Sequence, residues 1–198
     1  MENYTITISR EFASMGRSIA QRMSELLGIE YYDRDIVEAA AKRMGLPVSV
    51  ISDHEENVPA RFYRRQYPLG NGQLYIQDDL FMVQKNIIQD LAAKGPCIIV
   101  GRCADTIFKD HENSLNIFVY APYEARMKNC RELLNMDEKT AAKMIKNVDK
   151  ARNAYRQRYC PEAGAVTDHR DILIDSSRFG IEGTAQILTG IARELFLK

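Results

Sequence analysis

Apolar residues recur along this chain in two alternating periods. Short runs rich in β-branched and aromatic residues at 5–9, 29–32, 97–100, 115–120 and 171–175 read as strands, and the segments between them carry the spacing of amphipathic helices. Parallel strands need helical crossovers, so this alternation predicts an α/β fold with a parallel sheet. The first helix is expected over 18–27, with Ile19, Met23, Leu26 and Leu27 on one face and Gly28 as its C-terminal cap. Asp33 is placed to cap a second helix that runs to about Arg43. Over 47–75 the pattern weakens: Pro59, Pro68, Gly70 and Gly72 punctuate a polar stretch rich in tyrosine and arginine, read as an irregular excursion from the sheet. Helical spacing returns over 78–93, again over 137–159, where lysine and arginine are dense and Pro161 and Gly164 follow as breakers, and finally from about Ile181. No internal repeat or low-complexity tract interrupts the chain.

Composition narrows the setting. A chain of 198 residues, 45% hydrophobic, is long enough for one well-cored domain and does not demand two. Lysine plus arginine equals aspartate plus glutamate at 27 each, so no global field points to nucleic acid or an anionic membrane, and any anion site must be local. The four cysteines, Cys97, Cys103, Cys130 and Cys160, show no metal-ligand spacing and read as reduced thiols. No apolar run approaches the roughly 18 residues that cross a bilayer. The expectation is a cytoplasmic protein with small-molecule partners, bound neither to nucleic acid nor to membrane. Its oligomeric state is left open.

Candidate chemistry begins where the first strand meets the first helix. Residues 5–20 run as strand, tight polar turn and helix, the layout of a phosphate-binding loop. Aligned on Gly16, Arg17 takes the usual lysine position, Ser18 the hydroxyl position, and Glu11 stands where the first glycine would be. In this reading Ser14, Met15, Gly16, Arg17 and Ser18 surround the phosphates of a nucleotide with backbone N–H groups, the helix dipole and one cation. Ser18 Oγ would ligate magnesium. An ordinary corner built on Gly16 has the same local pattern. At 98–102 a buried strand ends in Gly101-Arg102, and ligands of open parallel sheets sit at such strand ends, so Arg102 is expected to reach the same crevice. Its guanidinium can grip a phosphate bidentately. In the late helix Arg152 and Arg156 share a face near Asp149, as in a lid that closes over phosphates or as on a solvated helix surface. Asp175-Ser176-Ser177 is a polar turn that could contact a base or simply start a helix.

Taken together, these motifs resemble the cytidylate kinase-like proteins of the P-loop nucleoside monophosphate kinase superfamily. The similarity is carried in order by Ile8-Ser9-Arg10-Glu11-Phe12 with Gly16-Arg17, by Tyr31-Tyr32-Asp33, and by Ile99-Val100-Gly101-Arg102 with Ala104-Asp105. Val148-Asp149-Lys150-Ala151-Arg152 and Ile174-Asp175-Ser176-Ser177 with Gly180-Ile181-Glu182 complete it. The resemblance implies a single P-loop domain over 1–198, a five-stranded parallel sheet in the order 2-3-1-4-5, an acceptor-binding insert at 34–94 and a lid at 137–168. It also implies ATP and magnesium, and transfer of a phosphoryl group to a nucleoside monophosphate, with CMP or dCMP foremost. Residue by residue, Ser14, Met15, Gly16, Arg17, Ser18, Arg156 and Ser176 fall to the nucleotide, and Asp33, Arg102 and Asp105 to the acceptor. Arg17, Arg102, Arg152 and Asp149 are the catalytic set. The chain also departs from the pattern of cytidylate kinases: Arg17 replaces lysine, Val100 and Cys103 replace two strand-end aspartates, Ile145 stands near a missing lid arginine, and Ala13 and Met15 stand where glycine is usual. Asp33 or Asp105 is then left to support magnesium, and 53–79 carries no cytosine-reading pattern. A non-catalytic nucleotide-binding module and a kinase for another small phosphate acceptor are the alternative readings.

Overall fold

The computed structural model describes residues 3–48 and 72–197, and the greater part of the stretch read as irregular lies outside them. Five strands, β1 (Thr5–Arg10), β2 (Glu30–Tyr32), β3 (Cys97–Val100), β4 (Ser114–Tyr120) and β5 (Ile172–Asp175), form one all-parallel sheet in the order β2-β3-β1-β4-β5. The helices are α1 (Gly16–Leu27), α2 (Arg34–Met44), α3 (Gly72–Ala92), α4 (Ala104–Ile107), α5 (Tyr123–Glu132), α6 (Glu138–Tyr159) and α7 (Ser176–Phe196). The expected class and strand order are those observed.

Alternation within the strands sends side chains to two cores. Ile6, Ile8, Ile98, Val100, Leu115, Ile117 and Val119 point to the layer where α1 and α7 pack, against Ile19, Met23 and Leu188. Cys97 and Ile99 face the other layer, with Ile36 and Ala40 of α2 and Ile87 and Ile88 of α3. Each fully buried isoleucine contributes about 1.5–3 kcal/mol of transfer free energy, which makes the sheet a rigid platform for the loops at its carboxyl edge. The central pair of strands is also joined by a buried polar contact, Thr7 Oγ1 donating to Asn116 Oδ1 at 2.7 Å.

Helix ends explain most differences from the expected boundaries. Gly28 caps α1 in the left-handed region at φ 66°, its N–H donating to the Ser24 carbonyl. Asp137 caps α6 by accepting from Thr140 N at 3.0 Å. α1 starts at Gly16, two residues before the expected Ser18, because Met15 adopts φ 62° and turns the chain directly into the helix. α3 starts at Gly72 rather than 78. α7 begins at Ser176 and is interrupted at Gly180, φ 66° and ψ −174°, so the helix expected from Ile181 is preceded by one short turn. Asp33 does precede α2, but its side chain caps nothing: it is drawn instead to arginines across the carboxyl edge of the sheet.

Candidate active site

The turn after β1 is stitched down through its carbonyl groups. Ser14, fully buried, places Oγ 3.0 Å from both the Glu11 and the Val119 carbonyl oxygens. Asn129 donates to the Ala13 carbonyl at 2.9 Å, and Ser176 Oγ donates to the Ser14 carbonyl at 2.7 Å. The hydroxyls of Ser14 and Ser176, both assigned to the nucleotide from sequence, are thus committed to the turn itself. Ala13 and Met15 both hold positive φ, 58° and 62°, where glycine would be the easier residue. The first helical hydrogen bond of α1 is Ile19 N to the Met15 carbonyl at 3.0 Å. The N–H groups of Gly16, Arg17 and Ser18 precede it and lack a partner within the helix, as at any helix start, where an anion is favoured.

Two carboxylates connect the turn to the long helix and to α5. Asp149 accepts from Phe12 N at 2.7 Å and pairs with Arg126; Glu11 accepts from Ala121 N at 3.1 Å and lies 3.5 Å from Arg126 Nε. Asp149 therefore holds the turn. Arg152, one helical turn on, donates to the Arg10 carbonyl at 3.1 Å. Asp149 and Arg152 thus each tie α6 separately to the end of β1.

At the ends of β1 and β3 the charges are strongly unequal. Asp33, 3% exposed, pairs with Arg17 Nε, with Arg102 Nη1 at 3.2 Å and more loosely with Arg10 Nη2 at 3.9 Å. Burial alone would raise the Asp33 carboxyl, but Arg10, Arg102 and Arg17 outweigh it and hold it below its ordinary value. Arg102 also donates to the Val100 carbonyl at 3.0 Å. Burial and then the neighbouring Arg152 push Arg10 down to about 9, against the pull of Asp33, so it remains a cation at neutral pH. Farther along, the fully buried Asp105 joins Arg156 to Arg170, whose Nε lies 3.3 Å away and whose guanidinium sits 4.0 Å over the Phe118 ring. Burial, followed by Arg156, lowers Arg170 against the pull of Asp105. Cys103, at a position where cytidylate kinases carry an aspartate, is a neutral thiol: its hydrogen bond with Cys160 and then burial push it well up.

These groups enclose a cavity of about 320 Å³, lined by Arg10, Arg102, Arg152, Arg156 and Arg170 against Glu11, Asp105 and Asp149. The sequence reading located Arg102, Arg152, Arg156, Asp105 and Asp149, and all five meet here. It missed Arg10 and Arg170 on the cavity wall, and Arg126, which pairs with Asp149 beside the turn. A signal existed for Arg10, a charged residue closing an apolar strand at the carboxyl edge, whereas Arg126 and Arg170 are brought in only by tertiary packing. Arg17, expected to face the phosphates, is half exposed and held by Asp33. Gly16 has an ordinary φ, and a Cβ built there would fall 2.7 Å from Arg10 Cβ, so it makes room for that side chain.

Magnesium would have few protein oxygens to bind here. Among the described residues no group of three or more histidine, cysteine, aspartate or glutamate side chains converges on a metal position, and Asp33 and Asp105 are both saturated by arginines. A polyphosphate fits better, because the cavity presents five guanidiniums against three carboxylates.

A parallel sheet in this order, with a phosphate-type turn and arginines over its carboxyl edge, defines a P-loop kinase fold. Residues 5–178 match the cytidylate kinase-like family, and the chain belongs to it. No curated protein matches the chain. Among solved structures, an uncharacterized protein from Eubacterium ventriosum ATCC 27560 is 25% identical with a TM-score of 0.72, over 96% of this chain and 98% of that one. A gluconokinase from Sinorhizobium meliloti 1021 aligns over 98% and 97% of the two chains, with 14% identity and a TM-score of 0.55. Shikimate kinase from Acinetobacter baumannii, in complex with shikimate, aligns over 98% and 96%, with 15% identity and a TM-score of 0.51. The last two share the fold.

Proposed function

We propose that this protein is an ATP-dependent phosphotransferase of the nucleoside monophosphate kinase type, with CMP or dCMP as the first acceptors to consider. The observation that carries the reading is the excess of guanidinium over carboxylate around one cavity at the carboxyl ends of β1 and β3. Such an imbalance is costly to bury and is relieved by a ligand with several negative charges. ATP supplies the phosphoryl group. Arg102 fixes the acceptor phosphate, Arg152 and Arg156 neutralise charge that develops between donor and acceptor, and the N–H groups of Gly16, Arg17 and Ser18 bind the donor phosphates. Asp149 and Ser14 act by holding the turn. Ser18 Oγ is the one proposed protein ligand for a magnesium ion brought by the nucleotide, and no step is assigned to that ion. The acceptor insert, the lid and a cytoplasmic setting belong to the same proposal.

A specific observation favours a second acceptor class. The strand-end aspartates of cytidylate kinases are here Val100 and Cys103, and the similar folds include kinases whose names specify shikimate and gluconate. The test is ADP release with CMP, dCMP, UMP, AMP and GMP, then shikimate and gluconate, with and without magnesium. Turnover on a pyrimidine monophosphate supports the leading reading, and turnover only on a non-nucleotide moves the acceptor class. ATP binding without turnover on any acceptor identifies a binding module.

A further inference from the structure

Arg10 closes β1, and its side chain is only 12% exposed. Two glycines on separate elements make room for it. A Cβ on Gly16 would fall 2.7 Å from Arg10 Cβ and 3.2 Å from Cγ; a Cβ on Gly101, at φ 79°, would fall 2.2 Å from Nη1. The stem thus passes over Gly16 and the guanidinium lies against the backbone of Gly101, on the cavity wall. Five N–H donors arrive there, yet among the described residues they make no hydrogen bond, and the nearest carboxylate oxygen, of Asp33, is 3.9 Å away. Its nitrogens face the cavity rather than the packed interior, so the fork is held mostly out of bulk water by two glycines and turned toward the space a ligand would fill. The surroundings add to the demand for an anion. Arg152 of α6, Arg102 after β3 and Arg17 of α1 all oppose its charge, against Asp33 before α2, which favours it, and Glu11 and Asp149, which line the same cavity. Arg17, at the lysine position of the loop, is meanwhile half exposed and bound to Asp33.

We propose that Arg10 is the principal phosphate-binding cation of this loop, gripping a phosphoryl or pyrophosphoryl group in the cavity from the end of β1 and so replacing the residue at the start of α1. The proposal rests on the phosphotransferase reading above and names a residue that reading does not use. A guanidinium in this position offers a planar fork to two oxygens of one phosphate, from a fixed strand rather than from a mobile side chain at a helix surface. Although burial and then Arg152 lower it to about 9, it stays charged through the neutral range.

The experiment is isothermal titration of the full-length protein with ATP and with inorganic pyrophosphate, for wild type, Arg10→Gln, Arg10→Lys and Arg17→Gln. Arg10→Gln is expected to weaken both ligands by about 10-fold to 100-fold, the loss of one or two charge-assisted hydrogen bonds, while Arg17→Gln changes them by less than about threefold. Arg10→Lys adds a readout that packing alone does not move. An ammonium begins from a lower ordinary value than a guanidinium, so in the same dry, arginine-rich site it loses its proton earlier. The ratio of wild-type to Arg10→Lys affinity should therefore climb as pH rises from 6.5 to 8.5; this arm also carries the test if Arg10→Gln does not fold. A folded Arg10→Gln that keeps wild-type affinity, a larger loss in Arg17→Gln, or a pH-independent ratio for Arg10→Lys overturns the assignment while the phosphotransferase reading stands. Wild type that binds neither ligand overturns both.

Discussion

Replacing Asp105 by asparagine tests the charge architecture of the cavity most directly. The carboxylate is fully buried and joins Arg156 to Arg170, which keep 14% and 5% of their side chains exposed. Asparagine preserves the shape and one acceptor oxygen, but it removes the only carboxylate that pairs with these two guanidiniums among the described residues. Breaking a buried pair by neutralising one partner typically costs about 3–5 kcal/mol, because the remaining charge loses its compensation without regaining water. Against a total stability of roughly 5–15 kcal/mol this is a large fraction. For a domain of this size it corresponds to a fall in Tm on the order of 10 °C. Differential scanning calorimetry in a non-coordinating buffer measures it. The same guanidiniums then demand an external counter-charge, so added phosphate should raise the Tm of Asp105→Asn more than that of wild type, by the usual linkage between binding and stability. A Tm within about 2 °C of wild type, with no extra response to phosphate, would refute the view that Asp105 holds the arginine wall together.

Gly16→Ala should destabilise the fold by about 1–3 kcal/mol, since the added methyl meets Arg10 Cβ at 2.7 Å and not a flexible tip; unchanged urea unfolding would count against the close approach. Asp149→Ala and Arg126→Ala should each loosen the turn after β1, and the double variant should lose about 1–3 kcal/mol less than the sum, because the two side chains form one pair; additive losses in a double-mutant cycle would separate them. Arg152→Ala should lower kcat more than ATP affinity if α6 closes over the phosphates, and equal effects on both would place Arg152 in ground-state binding. The Asp33 carboxyl is held below its unfolded value, so its stabilisation is fully present above about pH 4 and is lost as pH falls through the lower folded value; the difference in stability between wild type and Asp33→Asn should be flat from pH 5 to 7 and shrink only in stronger acid, and a difference that disappears near neutrality would contradict the pairing.

The division between what could be read from the chain and what could not follows the range of the interactions involved. The α/β class was legible because period-two runs separated by period-3.6 segments call for a parallel sheet with helical crossovers, while the strand order came with the family resemblance. The caps at Gly28 and Asp137 were legible for the same local reason: a left-handed residue and a side-chain acceptor act within one turn of the helix they end. Arg102 could be assigned to the crevice because strand ends have a predictable direction, whereas the spacing of Arg152 and Arg156 left a solvated helix face open and only the family resemblance brought them to the same site. Which charge meets which could not be read. Asp33 lies in a capping position and local chemistry would keep it there, yet Arg17 and Arg102 draw it across the sheet edge, since an ion pair away from water outweighs one capping hydrogen bond. The place of Gly16 in the turn was legible; only the packing of β1 against α1 shows that it also makes room for Arg10. Arg126 and Arg170 carry no local mark at all, and reach the site through contacts between elements far apart in the chain. The sequence by itself therefore determined the scaffold and the edge where chemistry belongs, while tertiary structure decided how the charges at that edge are shared, because Coulomb interactions in a partly dry crevice depend on distances that no local pattern encodes.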